Sequence, residues 1–281
     1  MSIEIDPRLS AEDQRILSAF IALMATDSPS LEQIWSCMDF VWAVQGCDNQ
    51  RIEPQKLARF YAHPVWLLNG LFVEQHAESL AHRELFSDWV RNQNPARVAD
   101  IGGGFGTLAA MIKKKLPDTQ VDVIEPHSHG LAAEKGRERR VNFCDELSGE
   151  YDILIATDVF EHVEDPLSLV ESTAAHLAPG GRYLMANCFF PVIKCHLPCT
   201  FHFRFSWVWV MRRMNLVPVE KVAYGTVFRK EGPVESAAAR NRERWSRLVY
   251  RVGAPALEGV RKLRSILRWS WQILRDRSHA S

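Results

Sequence analysis

The sequence predicts an α/β fold, a parallel sheet with helices on both faces, and three observations carry that expectation. A short apolar run from Val98 to Ile101 gives way to Gly102, Gly103, Gly104 and Gly106, and a helical pattern opens at Thr107. That order is strand, tight turn, helix. Strand-like apolar runs at 121–124, 141–144, 152–157 and 182–186 then alternate with helical stretches, the pattern of crossover-connected parallel strands. Finally, 281 residues at 47% hydrophobic content can bury one sizeable core plus a smaller accessory unit.

The N-terminal residues read as helices. Ser10 precedes Ile16, Leu17, Phe20, Ile21 and Met24 at helical spacing, and Ser30 precedes Ile34, Trp35, Met38 and Val41, with Gly46 as the stop. A third helix begins near Pro54 and carries Leu57, Phe60 and Tyr61, and 63–76 follow as a loop or short helices around Pro64 and Gly70. This aromatic-rich region is a wall of the fold or a lid, in which case His63, Trp66, Asn69 or His76 face a substrate. A helix from Ser79 to Asn92 turns Leu80, Phe86, Trp89 and Val90 inward. Helices follow at 107–116, 129–139 and 167–177, and the turn Pro179-Gly180-Gly181 leads into the fifth strand. Beyond it, 201–214 is helical, and two short runs flanking Tyr224-Gly225 form an antiparallel hairpin at the sheet edge.

From residue 235 the composition changes. Eleven Arg or Lys stand against four acids, a surplus of seven, in a chain whose 34 basic and 34 acidic residues cancel only in total. Val260, Leu263, Leu267, Trp271 and Leu274 make an apolar stripe beside Arg261, Arg264, Arg268 and Arg275. Such a basic amphipathic helix suits an anionic membrane interface, its own domain, or a second subunit. The neutral total gives no general preference for nucleic acid. Six scattered cysteines and an acidic, non-apolar start read as reduced thiols in a cytoplasmic protein, and no run of 18 apolar residues argues for a membrane span.

The chemistry concentrates at the glycine turn. Asp-x-Gly-x-Gly-x-Gly differs from the dinucleotide fingerprint Gly-x-Gly-x-x-Gly, and Asp100 at the strand end would repel phosphate. It suits a cationic ligand with an amino group, as in S-adenosylmethionine.

Asp100 to Gly106, Glu125 ending the second strand, Asp158-Val159-Phe160-Glu161-His162-Val163 after the fourth, and Pro179-Gly180-Gly181 before the fifth together resemble the class I S-adenosylmethionine-dependent methyltransferases, closest to the ubiquinone-biosynthesis-like small-molecule branch. The resemblance covers roughly 80 to 230. It implies a Rossmann-like seven-stranded sheet and a division into an N-terminal helical lid or accessory region at 1–78, the methyltransferase domain at 79–232 and a basic amphipathic extension at 233–281. It also implies that Gly102, Gly104 and Gly106 bring backbone against S-adenosylmethionine, with Asp100 near the amino end and Glu125 on both ribose hydroxyls. Asp145 would receive the adenine amino group, with Leu147 near the ring, and Asp158 and Phe160 would line the methionine side.

Methyl transfer from a sulfonium needs alignment more than covalent help, and a base only if the acceptor starts protonated. Histidine suits that task near neutral pH, which makes His162, His196 and His202 the candidates. Cys195, His196, Cys199 and His202 lack paired zinc-ligand spacing, so no metal is expected. The aromatics from Phe189 to Trp209 favour a small-molecule acceptor with an apolar or aromatic part. The competing readings are a nicotinamide-dependent oxidoreductase and a non-catalytic, membrane-associated accessory protein that keeps the fold. Nucleic acid is disfavoured as acceptor because no Asn-Pro-Pro-Tyr-type motif follows the fourth strand, and a homodimer is the remaining partner considered. The place expected for the protein is the cytoplasm or the inner face of a membrane.

Overall fold

A computed structural model describes residues 3–26 and 28–253. The apolar stripe from Val260 to Leu274 lies outside them.

Four helices come first: α1 (Ala11–Met24), α2 (Leu31–Val44), α3 (Pro54–Tyr61) and α4 (Val65–Val73). Ser10 caps α1 by accepting from the Asp13 amide, and Ser30 with Gln33 forms a reciprocal capping box on α2. Of the two alternatives for the stretch after Pro64, a loop or short helices, the chain takes the second. This helix buries Leu67, Leu68, Leu71 and Phe72, enough apolar surface to outweigh the helix-weakening Gly70. Helix α5 (Ala77–Gln93) begins two residues before the expected Ser79 because the His76 ring, through Nδ1, accepts from the Ser79 amide and serves as its cap.

The sheet then unfolds in sequence order as β1 (Arg97–Ile101), α6 (Thr107–Lys115), β2 (Gln120–Ile124), α7 (Gly130–Glu138), β3 (Asn142–Cys144), β4 (Tyr151–Thr157), α8 (Pro166–Ala174) and β5 (Leu177–Ala186). Helix α9 (Phe203–Met211), β6 (Leu216–Val222) and β7 (Gly225–Lys230) follow, and residues 236–253 form α10. Spatial order is β3-β2-β1-β4-β5-β7-β6. The first five strands are parallel, while β7 runs antiparallel to β5 and β6 closes the edge as its hairpin partner. Strand β5 starts earlier than expected. Leu177 already pairs with Tyr151, and the register with β4 jumps across Pro179-Gly180-Gly181 before Arg182 pairs with Ile153.

Alternation along β4 shows how both faces are filled. Leu154 and Ala156 belong to a core with Phe160, Tyr183, Phe203 and Val210, whereas Ile153 and Ile155 join Phe86, Val90, Leu108 and Ile112 on the opposite side. A third core lies within α1–α4 and takes in Phe105, Leu131 and Ile193 from the sheet unit. The N-terminal helices thereby become a roof over the carboxyl ends of the strands, where ligands bind in open α/β sheets. No helix among the described residues is long and apolar enough to cross a membrane.

Candidate active site

Between roof and strand ends lies a cleft of about 1450 Å³. Its floor is the loop after β1. Gly104 has φ +55° and open space where a side chain would stand, so backbone is what it presents to the cleft. Gly103 matters for another reason that its spacing did not reveal. A Cβ there would stand 2.6 Å from Oδ2 of Asp100, so its absence makes room for that carboxylate.

Asp100 is 1% exposed, and neither of its carboxyl oxygens has a hydrogen-bond partner. Burial, with a smaller contribution from Glu125, pushes its pKa up to about 7 against the opposing pull of Arg83. One strand over, Glu125 reaches back across the loop. Its Oε2 accepts from the Gly104 amide at 3.3 Å and its Oε1 from the His127 amide at 3.4 Å. Asp145, exposed beyond β3, lines the same cleft together with Leu147.

After β4 the chain turns sharply. Asp158 has φ +54°, and its Oδ2 accepts from the Tyr224 hydroxyl at 2.8 Å. Burial raises its pKa. Glu161 is wholly buried; Oε1 accepts from the Cys188 amide at 2.6 Å while Oε2 has no partner. Burial and the neighbouring Asp158 push it up to about 8.

His162 lines the cleft, and its Nδ1 donates to the Cys195 carbonyl at 3.2 Å. His196 also lines it, packs edge-on to His162 with ring centroids 4.8 Å apart, and donates from Nδ1 to the Phe190 carbonyl at 2.7 Å. Burial pushes His162 down to about 3, helped by His196, and lowers His196 as well. Both rings are therefore neutral near pH 7.

Two expected site side chains are elsewhere. Phe160 is fully buried in the sheet core against Trp207 and Tyr183, at 5.2 and 6.2 Å between ring centroids, because the tight turn Phe160–His162 sends residue 160 inward and 162 outward. His202 faces α10 and not the cleft. Its Nδ1 donates to Ser246 Oγ at 2.9 Å, and its Nε2 accepts from Arg247 Nε at 3.3 Å. Burial and Arg247 hold it down at about 3.

The roof brings in Trp66, expected as a substrate-facing residue, and Tyr61, which the sequence placed only on a helix. Tyr61 stacks on His127 at 6.1 Å, lies 5.1 Å from Trp66, and meets His162 edge-on at 6.4 Å. The Tyr61 hydroxyl and the Trp66 indole N–H are buried without partners. His63, Asn69 and His76 also line the cleft, although His63 accepts from the Val65 amide and His76 is occupied as the cap of α5.

A seven-stranded mixed sheet in this order, with a glycine loop, a buried acid at its head and a second acid on the adjoining strand, defines a Rossmann-like nucleoside-binding fold. Residues 72–188 match the family described as "Methyltransferase domain". Curated relatives include a ubiquinone biosynthesis O-methyltransferase of Bordetella avium, 30% identical over 47% of this chain and 60% of that protein. Another is the ribosomal RNA small subunit methyltransferase C of Mannheimia succiniciproducens, 28% identical over 45% of this chain and 42% of that protein. The chain thus spans only about half the length of these relatives. An O-methyltransferase family protein from Burkholderia thailandensis shares the fold, with a TM-score of 0.51 at 15% identity over 79% of this chain and 84% of that one.

Proposed function

We propose that the protein transfers the methyl group of S-adenosylmethionine to a small-molecule acceptor with an apolar or aromatic part, by in-line displacement. The observation that carries this reading is Asp100. A buried carboxyl with both oxygens unsatisfied is destabilising, and an ammonium group placed there would satisfy it. S-adenosylmethionine, when bound, supplies an electrophilic methyl group and such an ammonium. Gly102 and Gly104 would offer backbone to it, whereas Gly106, expected beside them, lies off the cleft with its Cβ position against Phe143 and Val123. Glu125 would accept from the ribose hydroxyls, Asp145 from the adenine amino group, and Asp158 would border the methionine side. In this reading residues 1–78 are the roof, 79–232 the methyltransferase domain and 233–281 an extension.

The acceptor half of the cleft lies under the roof, where Trp35, Leu57, Tyr61 and Trp66 make an apolar, aromatic wall. Arg83 is the sole Arg or Lys among the described cleft residues, against several carboxylates. That balance disfavours an anionic acceptor such as RNA and favours a neutral or cationic one. Burial lowers the basicity of His162 and His196 alike, which weighs against either ring as the base. They act by holding the acceptor, each presenting a neutral ring to the cleft.

Calorimetric titration tests the reading. S-adenosylhomocysteine is expected to bind, and Glu125→Ala to weaken that binding at least about tenfold by removing two acceptors from a diol. Binding of NADH with none of S-adenosylhomocysteine would replace methyl transfer by hydride transfer. Labelled-methyl transfer to a cell extract, followed by mass spectrometry, would then identify the acceptor.

A further inference from the structure

Helix α10 is built the wrong way round for a helix facing water. Its buried positions are Ser236, Ala239, Glu243 and Ser246, while Trp245, Leu248, Val249 and Val252 are 62, 53, 64 and 73% exposed. These four stand at i, i+3, i+4 and i+7, so they form one outward stripe.

The inward face is held to α9 by polar contacts. Ser246 Oγ meets Ser206 Oγ at 2.6 Å, Arg204 donates to the Tyr250 hydroxyl at 2.7 Å, and Arg242 donates to the Trp209 carbonyl. Helix α9 adds its own exposed rings, Phe205 at 70% and Trp209 at 45%. Contiguous apolar exposure of this kind marks an interaction surface.

Its charge is one-sided. Arg242 lies over the Trp209 ring at 4.8 Å, and Arg204 over Phe190 at 4.5 Å and Phe205 at 5.5 Å. Glu243 is turned inward and held by Arg240 and Arg247. Among the described residues, Arg204, Arg242, Arg244 and Arg251 form no ion pair.

We infer that the α9–α10 face seats in the headgroup layer of an anionic bilayer. Tryptophan and arginine interleaved around an aliphatic stripe suit that layer, with rings at the acyl boundary and guanidinium groups on lipid phosphates. Charge decides against the other occupants. A second copy in a two-fold interface would set the same arginines against each other, and residues 254–281, with six Arg or Lys to two acids, bring more positive charge. The face also adjoins the cleft. Phe190, beneath Arg204, belongs to the loop whose Cys188, Val192 and His196 line it.

Flotation of the full chain with vesicles tests this. The chain is expected to float with phosphatidylcholine vesicles containing phosphatidylglycerol and at least about tenfold less with phosphatidylcholine alone. Trp245→Glu with Val249→Glu, and separately Arg244→Glu with Arg251→Glu, should each cut that binding about tenfold or more. Because all four side chains point outward, the melting temperature and S-adenosylhomocysteine affinity should stay unchanged, which separates loss of docking from loss of fold. Absence of flotation by the parent chain, or flotation indifferent to both pairs of substitutions, overturns the inference. So does a dimer in light scattering that Val249→Glu converts to monomer without any vesicle binding, an outcome that assigns the face to a second copy.

Discussion

Asp100 links sequence to chemistry most directly, since the folded chain buries its carboxyl and leaves it unanswered. Its raised pKa fixes the sign of a pH effect. Between the ordinary value of 3.8 and about 7 the folded chain keeps a proton that the unfolded chain has released. The stability from this group is full below the lower value and lost as pH rises through the upper one. A bound ammonium group favours the ionised form. The S-adenosylhomocysteine dissociation constant should therefore fall between about pH 6 and 8, by at most about tenfold per unit, and the fall should vanish in Asp100→Asn. Calorimetry across that range checks this, and Asp100→Asn should weaken binding about 10- to 100-fold at the upper end. The positions of Asp100 and Glu125 were legible because each ends an apolar strand at a fixed distance from the glycines. Phe160 and His202 were not. A single tight turn has no periodicity to show which way residue 160 points, and the partner of His202 is Ser246 on another helix. Nor does the sequence show that Tyr61 and His127, far apart in the chain, stack across the cleft.

At the scale of elements, α4 and the cofactor loop are pressed together. A Cβ at Gly70 would stand 2.1 Å from the Phe105 ring, closer than any packing tolerates. Gly70→Ala should destabilise the protein by about 1–3 kcal/mol, and Phe105→Leu in the same chain should recover part of the loss. Denaturant unfolding of the single and double variants measures both. The β6–β7 hairpin is likewise tied to the site, because Tyr224 at its turn donates to Asp158. Removing that hydroxyl in Tyr224→Phe should lower kcat/KM by about 5- to 20-fold, near 1–2 kcal/mol, with little change in melting temperature. Most strands and helices could be read from period and punctuation. The misses have two causes, tertiary contact overriding a local signal and a local cap of an uncommon residue type. Pro64 and Gly70 left the stretch open between a loop and short helices, and five buried side chains make it a short helix. Histidine is not a favoured cap, yet His76 serves as one. Pro179-Gly180-Gly181 reads as a turn, yet Leu177 before it already pairs with β4.

Across the whole molecule, a chain of zero formal charge separates its charges in space. Among the described residues, acids gather in the cleft around a single arginine, and arginines gather on the α9–α10 face. Acceptor preference should follow the first of these. Once an acceptor is known, an analogue carrying an added carboxylate should lose at least about tenfold in kcat/KM, since like charges placed face to face are repelled in a half-buried site. Steady-state comparison of the pair measures it, and equal rates would contradict a cleft whose charge balance disfavours anionic acceptors. The parallel sheet and its edge hairpin follow from the α/β alternation and the Tyr224-Gly225 turn, whereas the strand order and the seat of the N-terminal helices as a roof come only from the folded chain. The division of charge does too, because it depends on which side of each element turns outward.

The seat of α4 on Phe105 has a thermodynamic corollary. An acceptor under the roof would lie against α4, whose bare backbone at residue 70 meets the Phe105 ring of the glycine loop proposed to hold the nucleoside. Two occupants joined by so short a mechanical path must influence each other by the same factor in both directions. Titrating the nucleoside with and without an acceptor analogue, and the analogue with and without the nucleoside, should therefore return one and the same ratio.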